Sequence, residues 1–101
     1  MLTVPYSTQE YILVPLESWS GDVADPTTLS VSVAIIAPGT DPSSGQYVAA
    51  SWVTEGGVRK ARVLWQSAVP AAAPHTLYHA WMKVSAAPET PVMFAGPIRT
   101  Y

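Results

Sequence analysis

The chain has 101 residues; 49% are hydrophobic and 12% charged, the net charge is −2, and there are four Trp, five Tyr and no Cys. One domain of this length holds a single core, and its charged fraction is about half of what soluble domains usually carry. Charge gives no reason to expect a polyanionic partner, and composition excludes disulfides, thiolate zinc sites and Cys nucleophiles; the apolar excess points to surface that something else covers.

Ten Pro and six Gly cut the chain into short extended segments, and alternation of period two is far commoner than helical spacing. The opening residues MLTVPYSTQEY lack the basic and apolar regions of a signal peptide, and the apolar runs VSVAIIAP and AVPAAAP are too short to span a bilayer. A soluble protein made in the cytoplasm, with no membrane partner, is therefore expected.

The first strand signal, EYILVPLES over residues 10–18, is apolar on both faces until Pro15, which belongs at a sheet edge or bulge. LSVSVAII over residues 29–36 alternates cleanly, with Leu29, Val31, Val33 and Ile35 on one face. After the loop APGTDPSSG, the run QYVAASWVTE places Val48, Ala50 and Trp52 on one face. Gly56 and Gly57 then turn the chain tightly into VRKARVLW, where Ala61, Val63 and Trp65 alternate with Lys60, Arg62 and Leu64.

The loop QSAVPAAAPHT is bracketed by Pro70 and Pro74, so no helix is predicted there. LYHAWMKVSA sets Tyr78, Ala80, Met82 and Val84 against Leu77, His79, Trp81 and Lys83, and PVMFAGPIRTY returns with a kink at Gly96 and Pro97. About seven short strands at this spacing predict an all-β fold over residues 1–101, an immunoglobulin-like antiparallel β-sandwich. In that fold Trp52 suits the buried mid-chain Trp and Tyr78 suits a tyrosine corner; both are equally ordinary core aromatics.

Chemistry is thinly represented. His75 and His79 would stand about 13 Å apart on a strand, too far to chelate one metal. No nucleophile elbow, P-loop or H-E-x-x-H is present, so neither catalytic residues nor cofactors are expected. Asp22 and Asp25 fit a turn set by Asp25-Pro26 better than a Ca²⁺ loop, which needs six to eight oxygens. Arg59, Lys60 and Arg62 make a small basic cluster, read as a solvated strand face rather than a nucleic-acid footprint.

Charge is unevenly placed: residues 1–57 carry six of the seven acids and no base, residues 58–101 all five bases and only Glu89. Should the halves form opposite faces, copies would associate head to tail as a homo-oligomer. Trp19, Trp65 and Trp81 admit a different class of function, an exposed platform for sugar rings. The polar pairs that grip sugar hydroxyls are missing beside them.

The chain resembles a group of small immunoglobulin-like virion proteins of tailed phages that infect actinobacteria, encoded in the head and head–tail gene module. Tyr11, Val14 and Pro15 match the group's early strand. Tyr78, Trp81, Val84, Pro88, Glu89, Pro91, Gly96 and Tyr101 match its C-terminal hairpin, while the very apolar VSVAII and the Pro/Ala-rich AVPAAAP depart from it. The resemblance implies a non-enzymatic capsid decoration subunit, assembled in the host cytoplasm, that contacts the major capsid protein or neighbouring virion proteins. A neck or head–tail connector is the alternative. Neighbours would cover its apolar surface and receive its last strand, with contacts expected at Arg59, His79, Trp81, Lys83 and Tyr101.

Overall fold

Alternating runs of apolar residues form strands wherever the sequence offers them, in a computed structural model that describes residues 2–16, 29–85 and 92–101. In chain order these are β1 (Leu2–Val4), β2 (Tyr11–Pro15), β3 (Ser30–Ile36), β4 (Val48–Glu55), β5 (Val58–Leu64), β6 (Leu77–Ser85) and β7 (Val92–Thr100). A 3₁₀ turn spans Ser44–Gln46, and one helical turn, α1 (Trp65–Ala68), follows β5. The Asp22–Asp25 turn and Trp19 lie outside the described residues.

The strands hydrogen-bond in the order β1-β7-β6-β3-β4-β5-β2. Every pair is antiparallel except β1 with β7, which is parallel. β4 joins the two halves: Val48–Ala50 pair with β3, and from Ser51 onward the strand pairs with β5. The all-β expectation holds, but the antiparallel sandwich becomes one mixed sheet curled into a half-barrel.

Its concave side holds the core. Val31, Val33 and Ile35 of β3, Ala61 and Val63 of β5, Ala80, Met82 and Val84 of β6, and Ile12 and Val14 of β2 are all buried there. Gly56 and Gly57 turn β4 into β5 with φ of 57° and 79°, which a two-residue hairpin requires and a side chain resists. Pro15 closes the edge strand β2, where its missing N–H costs no ladder bond.

The central Trp is not the expected one. Trp65, 0% exposed, continues the inward alternation of β5 into α1 and donates its indole N–H to the Tyr6 carbonyl at 3.1 Å. Trp52 stands directly across from Ala61, half-buried against the core, and its indole N–H donates to the Leu29 carbonyl at 2.8 Å. The helical turn at Trp65–Ala68 is likewise unforeseen: it ends before Pro70, so the proline bracket did not forbid it.

Tyr78 behaves as a corner residue. Its hydroxyl accepts the Ala73 backbone N–H at 3.1 Å, five residues upstream, and its ring meets Trp65 edge-on at 5.9 Å. Beside it the hydroxyl of buried Thr100 accepts the Thr76 N–H at 2.9 Å, and the Ala73 carbonyl lies 2.6 Å away to take its proton. Two hydroxyls thus fasten the 69–76 loop to the start of β6 and the end of β7. The last strand is received by this chain itself rather than by a neighbour: the Tyr101 N–H donates to the Val4 carbonyl and the Tyr6 N–H to the Tyr101 carbonyl, both at 3.1 Å.

Candidate functional site

The convex face of β6 gathers the aromatic residues. Ala80, Met82 and Val84 point into the core, so His79, Trp81 and Lys83 stand together on the outside. Across β3, Ile36, Ala34 and Ser32 sit opposite them in the same order. Small Ala34 beneath large Trp81 explains why an outward residue of β3 is 0% exposed, and Ile36 is buried on the same face.

β7 supplies the ring that completes the patch, through a register shift. Ala80 pairs with Gly96 but Trp81 pairs with Phe94, so β7 carries one extra residue, Ala95, at a bulge where Gly96 adopts φ 120°. Unbroken alternation from inward-facing Ile98 would turn Phe94 into the core. The bulge reverses that parity and puts Phe94 outside, 50% exposed. Its ring meets His79 at 4.9 Å and Trp81 at 5.4 Å, both edge-on.

Lys83 closes one end, its Nζ 4.3 Å from the centre of the Tyr47 ring. Val92, exposed, lies opposite Lys83 on β7. The Trp81 indole N–H and the Tyr47 hydroxyl are buried here with no hydrogen-bond partner among the described residues. Burial, and secondarily the Asp41 carboxylate, push the Tyr47 phenol above its ordinary value of 10.

A raised phenol stabilises the fold only while protonated, so that contribution is whole below about pH 10 and fades as pH rises through the folded value. Ultraviolet titration should show a phenol ionising above the ordinary value, and Tyr47→Phe should remove that step and move alkaline unfolding to higher pH. Because the hydroxyl is buried and unbonded, the substitution should leave stability at neutral pH unchanged or raise it by up to about 1 kcal/mol. A high-pH ionisation that survives unchanged in Tyr47→Phe would contradict this placement.

Of the five expected contact residues, the structure therefore joins His79, Trp81 and Lys83. Tyr101 is exposed and on the outward alternation of β7, but seven residues beyond Phe94, about 20 Å along the strand. Arg59 is not on this face: it shares the inward alternation of Ala61 and Val63 and lies on β5, three strands from β6. Phe94 and Tyr47 escaped the sequence reading, the first because a bulge inverts its parity, the second because it precedes the β4 ladder.

The sugar platform does not form from the three Trp residues, since Trp65 is wholly buried. The basic cluster is partly engaged within the fold: Lys60 pairs with Glu55 at 3.0 Å, and the Arg62 guanidinium lies 3.7 Å from the Tyr11 ring centre. Among the described residues no three of His, Cys, Asp and Glu gather as metal ligands, and no helix is long and apolar enough to cross a membrane. No protein-family model, curated protein or solved structure matches this chain.

Proposed function

We propose that this protein is a non-enzymatic structural component of a tailed-phage virion, a decoration or cementing subunit that binds the major capsid protein or a neighbouring virion protein through the convex face of β6 and β7. The observation that carries the reading is the Phe94–Trp81–His79 cluster beside Lys83. A convex sheet face normally carries polar residues toward water, whereas this one sets two aromatic rings, His79 and Trp81, against a half-exposed Phe94. Aromatic side chains with a cation at the margin are the composition of protein-interface centres.

The architecture is read as immunoglobulin-like. The Tyr78 hydroxyl bond to Ala73, the parallel pairing of β1 with β7, and β4 serving both halves of the sheet support that reading.

Purified chain mixed with capsids of the encoding phage that lack it should sediment with them and saturate at a fixed ratio to the capsid subunit. Light scattering of the chain alone addresses the neighbouring alternative. A closed ring of fixed copy number that leaves capsids unoccupied would move the protein to the neck. Absence of capsid binding at micromolar concentration, with no ring, would refute a virion role.

A further inference from the structure

We propose that the seam between the sheet's two edges is a second binding site, one that accepts a short extended segment of a partner protein as an inserted strand. β1 and β2 are consecutive in sequence yet occupy opposite ends of the strand order. Curling brings them to the two sides of a cavity of about 390 Å³, lined by Leu2, Val4, Ile12 and Leu13 with Glu10 and Lys60 at its rim. They do not pair with each other across it.

Register shows which main-chain groups face the seam. On β2 the Glu10 carbonyl and the Leu16 N–H bond to β5, from Trp65 N–H and to Arg59 C=O, so even-numbered residues face β5. Tyr11 and Leu13 therefore aim their N–H and C=O groups away from β5, into the seam. On β1 the Val4 carbonyl and the Tyr6 N–H bond to Tyr101, so Thr3 is the residue whose main chain faces the seam. Among the described residues no partner meets the main chain of Thr3, Tyr11 or Leu13 on the seam side.

Pro5 and Pro15 occupy the next seam-facing position on each strand and offer no N–H. The exposed template is thus limited to Thr3 on one side and Tyr11 with Leu13 on the other, enough to hold a short strand and too little for runaway sheet growth. Charge sets which strand fits. Glu10 precedes β2 at one mouth, whereas Lys60 is already paired with Glu55 at 3.0 Å, so an occupant with a base at the Glu10 end and β-branched residues beyond it is complementary to the seam.

The test uses amide hydrogen exchange on the full chain, with the capped peptide Ac-Lys-Thr-Val-Thr-Val-NH2 as the probe. In the free chain the Thr3, Tyr11 and Leu13 amides should exchange freely, while Ile12 and Val14, bonded to β5, are protected. Millimolar peptide should slow Thr3, Tyr11 and Leu13 at least tenfold. Leu13→Pro, which removes a donor the β5 ladder does not use, should abolish that protection, and Thr3→Pro provides the same test on the other edge.

Protection of these three amides in the free chain, or no change with peptide, would overturn the proposal. Protection that grows with protein concentration in the absence of peptide would overturn the choice of a foreign strand in favour of a second copy. Because the seam and the β6–β7 face are separate, Phe94→Ala should leave peptide protection intact.

Discussion

Trp65→Ala is expected to lower the unfolding free energy by about 3–5 kcal/mol, a large part of the 5–15 kcal/mol available to a domain. Three losses combine in it. The largest wholly buried side chain among the described residues disappears, leaving a cavity at α1. Tyr78 loses its edge-on partner at the corner that fixes the start of β6. The Tyr6 carbonyl loses its indole donor, and with it a link between the β1–β2 connection and the core. Trp65→Phe is the milder change: it keeps a ring at the site but forfeits the hydrogen bond and part of the buried volume, for about 1–3 kcal/mol. Urea midpoints of the two variants provide the comparison, and Trp52→Phe, from a half-buried site, should fall well short of Trp65→Ala.

Thr100→Val is the second large effect, expected to cost about 1–3 kcal/mol although it changes almost no volume. The hydroxyl satisfies the Thr76 N–H and faces the Ala73 carbonyl in a buried position, so an isosteric methyl leaves both groups without that partner. Thr100→Ser keeps the hydroxyl and should recover most of the loss. Exchange of the Thr76 amide should accelerate in the Val variant and not in the Ser variant. Equal stability of the two would mean that water replaces the hydroxyl and that the 69–76 loop is anchored elsewhere.

Both effects depend on features that sequence reading reached unevenly. Period-two alternation with Gly and Pro punctuation located the strands, because each inward row must be apolar to cover the core, as in Val31, Val33 and Ile35. The Gly56-Gly57 hairpin and the edge placement of Pro15 were legible for the same local reason: each is a backbone constraint carried by the residue itself. Which Trp fills the centre was not legible. Trp52 and Trp65 have equivalent alternation, and only the curl of the sheet decides that Trp65 lies under the corner while Trp52 stands to one side, across from Ala61.

The proposed contact surface was half legible. His79, Trp81 and Lys83 follow from alternation along β6 alone. Phe94 does not, since one extra residue at the bulge reverses the face of everything before it in β7. Arg59 shares the inward alternation of Ala61 and Val63, and only the strand order, which sets β5 three strands from β6, separates it from the other expected residues. Tyr47 joins the patch through the pairing of β4 with β3, a long-range contact that nothing local announces.

Sedimentation of the chain with capsids lacking it, comparing wild type with Phe94→Ala and Lys83→Glu, tests the central claim most directly. Phe94 is half-exposed and sits at the middle of the ring cluster, so its truncation should weaken binding by roughly thirtyfold while the fold persists, and the reversed charge at Lys83 should weaken it further. Binding that is saturable in the wild type and unchanged in both variants would contradict the assignment of the β6–β7 face as the contact surface.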